Sequence, residues 1–230
     1  MNNARRNRSF LTDEDGSAAT TAGFVIAGGL TFILLAVVLF TDVPIIGPNE
    51  GEMAPNLEGQ IHTLGAESWT NFELYDEVDG TWDAESNPEA KWFLIQFMDT
   101  DCPHCWNEAG PMSDIESNFG DRLTMISVAV SLNIPSHDSD REEVVAFQEK
   151  ASLMGCNSGN SDCSTRSGEP HDWAYFDDLD VTIMDTWGVQ GTPFIVIIKP
   201  DGEVAWNQGQ NQGQEIMEAL VEMLPVVEAA

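Results

Sequence analysis

From Trp92 to Met98 the chain reads WFLIQFM, and four residues further on it reads Cys102-Pro103-His104-Cys105. A short, nearly continuous apolar run is the pattern of a strand buried on both faces. Pro103 forfeits only an N–H that has no partner in a first helical turn, so the cysteine pair sits where a helix begins. A doubly buried strand that feeds straight into a helix requires layers on both sides of a sheet.

The flanking sequence extends that pattern. Asn71–Glu77 and Thr81–Asp83 around Val78-Asp79-Gly80 read as a hairpin, with Asp-Gly at its turn. Helices are expected over Pro103 to about Asn118, kinked at Gly110-Pro111, over Arg141–Met154 and over Glu215–Leu224. Strands are expected over Leu123–Val130, Trp173–Phe176, Pro193–Ile198 and Glu203–Trp206, the last two joined by the turn Lys199-Pro200-Asp201-Gly202. Alternating strands and helices that end in an antiparallel pair predict an α/β sandwich around a mixed sheet.

Ahead of this lies AGFVIAGGLTFILLAVVLF, Ala22 to Phe40, 19 residues without a charge or a proline. As a helix it is about 29 Å long, against a bilayer core of about 30 Å. It is longer than the apolar stretch of a cleaved signal, and the following TDVPIIGP has no small-x-small site. Residues 22–40 are therefore expected to be an uncleaved transmembrane anchor. Arg5, Arg6 and Arg8 precede it, which predicts residues 1–21 in the cytoplasm and the large domain outside the cell membrane. Residues 41–56, rich in Pro, Gly, Asn and Glu, read as a flexible tether, and residues 57–230 as the single folded domain.

Of the 230 residues, 39 are Asp or Glu and 9 are Lys or Arg, a net charge of −30. Such a field repels phosphate backbones and excludes nucleic-acid binding. It suits a solvated, soluble surface in the exported part of the chain.

The chemistry rests on the cysteine pair. Two cysteines on one helical turn close a disulfide with little rearrangement, and the helix N-terminus favours a thiolate at Cys102. His104, about 5 Å away, adds roughly 3 kcal/mol of attraction when protonated, at an effective dielectric near 20. A stabilised thiolate stabilises the dithiol and makes the disulfide more oxidising. Zinc ligation by this pair with Cys156 and Cys163 is the rival reading, but zinc ligands usually come from tight turns. His62, His137 and His171 have no ligand spacing and read as surface or loop histidines, so no metal is expected. Cys156 and Cys163 bracket NSGNSD and read as a loop-stapling disulfide worth about 2 kcal/mol, with an electron relay to Cys102-Cys105 as the alternative.

WFLIQFMDTDCPHC, followed about 85 residues later by WGVQGTPFIVIIKPDGEV, resembles the thioredoxin superfamily. The segment NFELYDEVDGTW resembles its membrane-tethered extracytoplasmic branch (TlpA/ResA-like), and Pro103-His104 resembles the DsbA-type oxidases. The likeness covers about residues 57–227. It implies a thioredoxin-like three-layer sandwich. It also implies a cis peptide bond before Pro193, with Thr192 and Pro193 walling the substrate site opposite Cys102, Pro103, His104 and Cys105. Trp106 is a candidate for a peptide-binding face.

Two positions depart from the family pattern. Asp101 replaces an aromatic before the first cysteine, and Gln96 replaces a buried carboxylate six residues before it. An amide cannot take the proton of Cys105, which leaves water, Asp99 or Asp101; these two acids read equally as solvated loop residues. A peroxidase motif P-x-x-x-[ST]-x-x-C is not met, because Ile95 and Asp99 stand at its proline and hydroxyl positions. The expected function is thiol–disulfide exchange with exported proteins, without a metal or organic cofactor and supplied by a membrane redox partner. The direction of electron flow is open, and a non-catalytic binding or metal-delivery module is the alternative.

Overall fold

The computed structural model describes Ile26 and residues 44–132 and 138–224. The expected anchor, apart from Ile26, lies outside them, and among the described residues no helix is long and apolar enough to cross a membrane. In chain order the elements are β1 (Glu58–His62), β2 (Thr70–Glu73), the helical turn α1 (Leu74–Glu77), β3 (Trp92–Met98), α2 (Pro103–Phe119), β4 (Leu123–Val130) and α3 (Arg141–Glu149). There follow the two-residue strands β5 (Met154–Gly155) and β6 (Ser161–Asp162), β7 (Ala174–Asp178), α4 (Thr182–Thr186), β8 (Phe194–Ile198), β9 (Val204–Asn207) and α5 (Ile216–Met223).

Seven strands form one mixed sheet in the order β2-β1-β7-β4-β3-β8-β9. The β3–β4 and β4–β7 pairs are parallel, and the others are antiparallel. β3 is an interior strand, between β4 and β8, and all seven of its residues are buried. Its alternation divides the molecule into two cores. Trp92, Leu94 and Met98 meet α2, α3 and α5 on one face, whereas Phe93, Ile95 and Phe97 meet Trp187, Met184 and Leu57 on the other. α2 continues through Pro111, and the N–H of Gly110 is satisfied by the Ser167 hydroxyl at 3.1 Å.

Several sequence expectations are corrected. No hairpin forms around Val78-Asp79-Gly80. The Asp79 carboxylate closes a local turn on Thr81, its N–H donates to the Pro200 carbonyl, and Leu74 is drawn into the core as α1. The hairpin in this region joins β1 to β2, with Glu58 opposite Glu73. The stretch read as a tether is part of the folded unit from Ile45 onward. Its backbone runs along β9, with Gly51 N–H to Val204 O and Val204 N–H to Glu52 O, and Ala54 is fully buried.

The helix expected to reach Met154 stops at Lys150, which adopts a left-handed conformation (φ 55°). His62 and His171 are buried and hydrogen-bonded, not at the surface. His137 lies outside the described residues.

Candidate active site

Strand register assembles the site. β8 pairs antiparallel with β3, placing Phe194 opposite Phe97. The residues just before β8 therefore lie beside the loop that follows β3. The Thr192–Pro193 peptide bond is cis, and Cys102 Sγ lies 3.4 Å from the Thr192 carbonyl oxygen. Cys102 is the N-cap of α2 and Pro103 its first residue, so the sulfur stands at the positive end of a 17-residue helix. Both thiols are free; Cys102 is 8 % exposed and Cys105 2 %.

The two sulfurs are electrostatically distinct. The Cys105 S–H, the strongest influence, together with the backbone N–H groups of Cys105 and His104, lowers the Cys102 thiol to about 5 against the cost of burial. Burial and the adjacent Cys102 push Cys105 far up. At neutral pH the pair is one thiolate hydrogen-bonded by one thiol. His104 contributes through its main chain, and its ring is exposed.

Asp99 and Asp101 are both buried. Asp99 accepts from Leu132 N–H, Asp101 N–H and Ser139 Oγ at 2.8, 2.8 and 2.9 Å, and burial raises its pKa. Asp101 accepts from Gly159 N–H at 3.0 Å, while its carbonyl accepts from Ser158 N–H at 2.9 Å. Asn157, Ser158 and Gly159 all have positive φ, and this left-handed turn aims three successive N–H groups at Thr100 and Asp101. The Cys156–Cys163 disulfide staples it, with Cα atoms 5.3 Å apart and both residues fully buried. Shielded sulfurs fit a staple better than a relay. Trp106 is half-buried and packs edge-on against Phe147 at 6.2 Å.

Sequence reasoning passed over Glu108. It lies one helical turn after Cys105, spacing that puts two side chains on one face, and accepts from Gln96 Nε2 at 2.9 Å. Burial, followed by the charges of Cys102 and Glu215, raises its pKa, which the Gln96 N–H opposes. The usable signal was the i, i+3 spacing from the second cysteine. Among the described residues, no group of three or more His, Cys, Asp or Glu is placed to hold a metal ion.

No family model and no curated protein sequence matches the chain. Solved structures do. The chain is similar to a reduced 2-Cys peroxiredoxin of Plasmodium vivax, at 16% identity over 75% of this chain and 93% of that one, with a TM-score of 0.50. It is similar to an uncharacterized conserved protein of Geobacillus kaustophilus, at 11% identity over 76% of this chain and 79% of that one, with a TM-score of 0.51. The thioredoxin domain of a thiol-disulfide oxidoreductase of Bacteroides vulgatus is also similar, at 15% identity over 77% of this chain and 99% of that one, with a TM-score of 0.49. The fold is thioredoxin-like. Likeness at this identity shows the fold alone.

Proposed function

We propose that the chain is a membrane-anchored thiol–disulfide oxidoreductase that exchanges disulfides with exported proteins through Cys102 and Cys105. The 22–40 run is its anchor, the folded unit lies outside the cell membrane, and a membrane redox partner resets the pair. No metal or organic cofactor takes part. The observation that carries this reading is the asymmetry of the sulfurs: a Cys102 thiol lowered to about 5 at a helix N-terminus, beside the carbonyl preceding a cis-proline, backed by a buried Cys105 thiol.

In the reducing direction the Cys102 thiolate attacks one sulfur of a substrate disulfide; a Cys102–substrate bond forms and the other sulfur leaves as a thiolate. Cys105 then gives its proton to Glu108 and attacks Cys102. The substrate leaves as its second thiolate, and the Cys102–Cys105 disulfide remains. Oxidation of a substrate dithiol is the reverse. Thr192 and Pro193 align the substrate chain beside Cys102. The stabilised thiolate favours the reduced protein and hence the oxidising direction.

The reduction potential and dithiol-oxidation turnover of the full chain test this together. A potential near −120 mV assigns an oxidase and one near or below about −270 mV a reductase. Turnover that survives Cys102→Ser would replace the enzyme with a binding module.

A further inference from the structure

Gln96 stands where a carboxylate was expected, and its neighbours on both edges favour one orientation of its amide. The indole Nε1–H of Trp173 donates to Ser127 Oγ at 2.9 Å. An indole N–H has no acceptor lone pair, so Ser127 must accept there, and its own hydrogen is left for Gln96 Oε1 at 3.1 Å. With Oε1 committed, the amide NH₂ faces Glu108 Oε2. The register fixes the middle of this chain, since Gln96 and Ser127 are direct partners across the β3–β4 ladder. Trp173, Ser127 and Gln96 are all buried. Reversing the amide would set its carbonyl against the Glu108 carboxylate and withdraw the Gln96 acceptor from the Ser127 hydroxyl hydrogen.

We propose that Gln96 is a positioning residue: the Trp173–Ser127–Gln96 chain fixes which edge of the amide meets Glu108 and holds that carboxylate as a proton-accepting anion one helical turn after Cys105. This rests on the reading of Glu108 as the acceptor for Cys105. The groups that face Glu108 make the donor necessary. At the N-cap of its own helix is the negative Cys102, and before α5 stands Glu215, whose charge also opposes the anion. Burial opposes the anion as well. The strand side supplies the Gln96 N–H against all three. A cavity of about 270 Å³, lined by Glu108, Gln208, Gln214 and Glu215, gives the proton a way out to solvent.

The step assigned to this arrangement balances. The Cys105 S–H bond breaks, its proton goes to a Glu108 carboxylate oxygen, and the resulting thiolate attacks Cys102 Sγ, breaking the bond to the substrate sulfur, which leaves as a thiolate. The product is the 102–105 disulfide, with neutral Glu108 returning its proton to water.

The test uses the full chain, kept in mild detergent, and an aromatic disulfide reagent whose released thiolate absorbs. A first release reports attack by Cys102, and a second reports resolution by Cys105. The second-release rate is followed against pH for the parent, Glu108→Gln, Gln96→Leu and Ser127→Ala. Glu108→Gln should abolish the acid limb of that profile. Gln96→Leu should move the limb up by about one pH unit and cost about tenfold on its acid side, with the rate recovering at high pH. Ser127→Ala frees the amide to turn and should move the limb the same way by less; it also serves if Gln96→Leu does not fold.

A limb lost in Glu108→Gln but unmoved in both other variants overturns the role of Gln96 and leaves that of Glu108 standing. A uniform loss of rate across the pH range in Gln96→Leu or Ser127→Ala overturns it too, since that is what a merely structural defect produces. A limb unchanged in Glu108→Gln removes the acceptor and the proposal with it.

Discussion

Replacing Cys105 by alanine removes the S–H that does most to hold the Cys102 thiol near 5. A hydrogen bond to a charged acceptor is worth about 1.5–3 kcal/mol. At about 1.4 kcal/mol per unit, the Cys102 midpoint should rise by about 1–2 units. The His104 and Cys105 backbone N–H groups remain, so it should stay below the ordinary cysteine value. A single rate at neutral pH cannot detect this. Against an ordinary thiol near 8.5, a thiol of pKa near 5 holds about 30-fold more thiolate at pH 7. Its intrinsic nucleophilicity is lower by a similar factor, about 30–40-fold over those 3.5 units. The two effects cancel, and only the position of the pH profile separates them. Alkylation of the reduced chain by iodoacetamide should give a midpoint near 5 for the parent and about 6–7 for Cys105→Ala. Cys105→Ser keeps a donor and should return close to the parent. A parent midpoint near the ordinary value, or an alanine variant indistinguishable from the parent, refutes the two-sulfur account.

The reduction potential should fall by about 30 mV per pH unit above the Cys102 midpoint, where one proton accompanies two electrons, and by about 59 mV below it; potentiometric titration reads the break. Asp178 accepts the N–H groups of Ile183 and Met184 at 2.8 Å each, and burial raises it to about 6. Its folded value exceeds its unfolded one near 4, so its contribution is complete below about pH 4 and lost as pH rises toward 6; urea midpoints of Asp178→Asn should lack that fall. Ala54→Asp puts a charge into the core and should cost more than about 2 kcal/mol in urea unfolding, whereas a solvated tether would tolerate it. Replacing Cys156 and Cys163 by serine should cost about 2.5 kcal/mol from the eight-residue loop, read by the same unfolding assay.

What was legible in the sequence follows the physics of burial. β3 and β4 are apolar on both faces, and their ranges came out unshifted because nothing but a central strand accommodates such runs. β1 reads EGQIH, with a glycine and little alternation; pairing with β2 and β7 makes it a strand, and no local signal carries that. Residues 45–56 look like linker because the contacts that order them, with β9 and with the core cluster that takes in Ala54 together with Leu74 and Val204, are made to residues distant in sequence. The acids show the same limit. Asp99 and Asp101 in a polar loop look solvated; a turn 58 residues away meets Asp101, and Leu132 N–H and Ser139 meet Asp99. Glu108 on an amphipathic helix looks like a surface residue until Gln96 is placed beneath it.

A chain of net charge −30 that keeps a thiolate at neutral pH raises a question of range. The donors to Cys102 act at hydrogen-bond distance. The nearest loop carboxylates have their charge spent on donors: Asp101 on Gly159 N–H, and Asp99 on Leu132 N–H, Asp101 N–H and Ser139. The remaining acids act through solvent, where the screening length shrinks from about 30 Å at 0.01 M salt to about 3 Å at 1 M. If the global field set the ionisation of Cys102, adding salt across that span would lower the alkylation midpoint by a unit or more. Short-range donors predict a shift smaller than about 0.3 units, because hydrogen bonds within a largely buried site are screened little. A large downward shift with salt would mean that the surface acids, and not the helix terminus with its two sulfurs, govern when this thiol ionises.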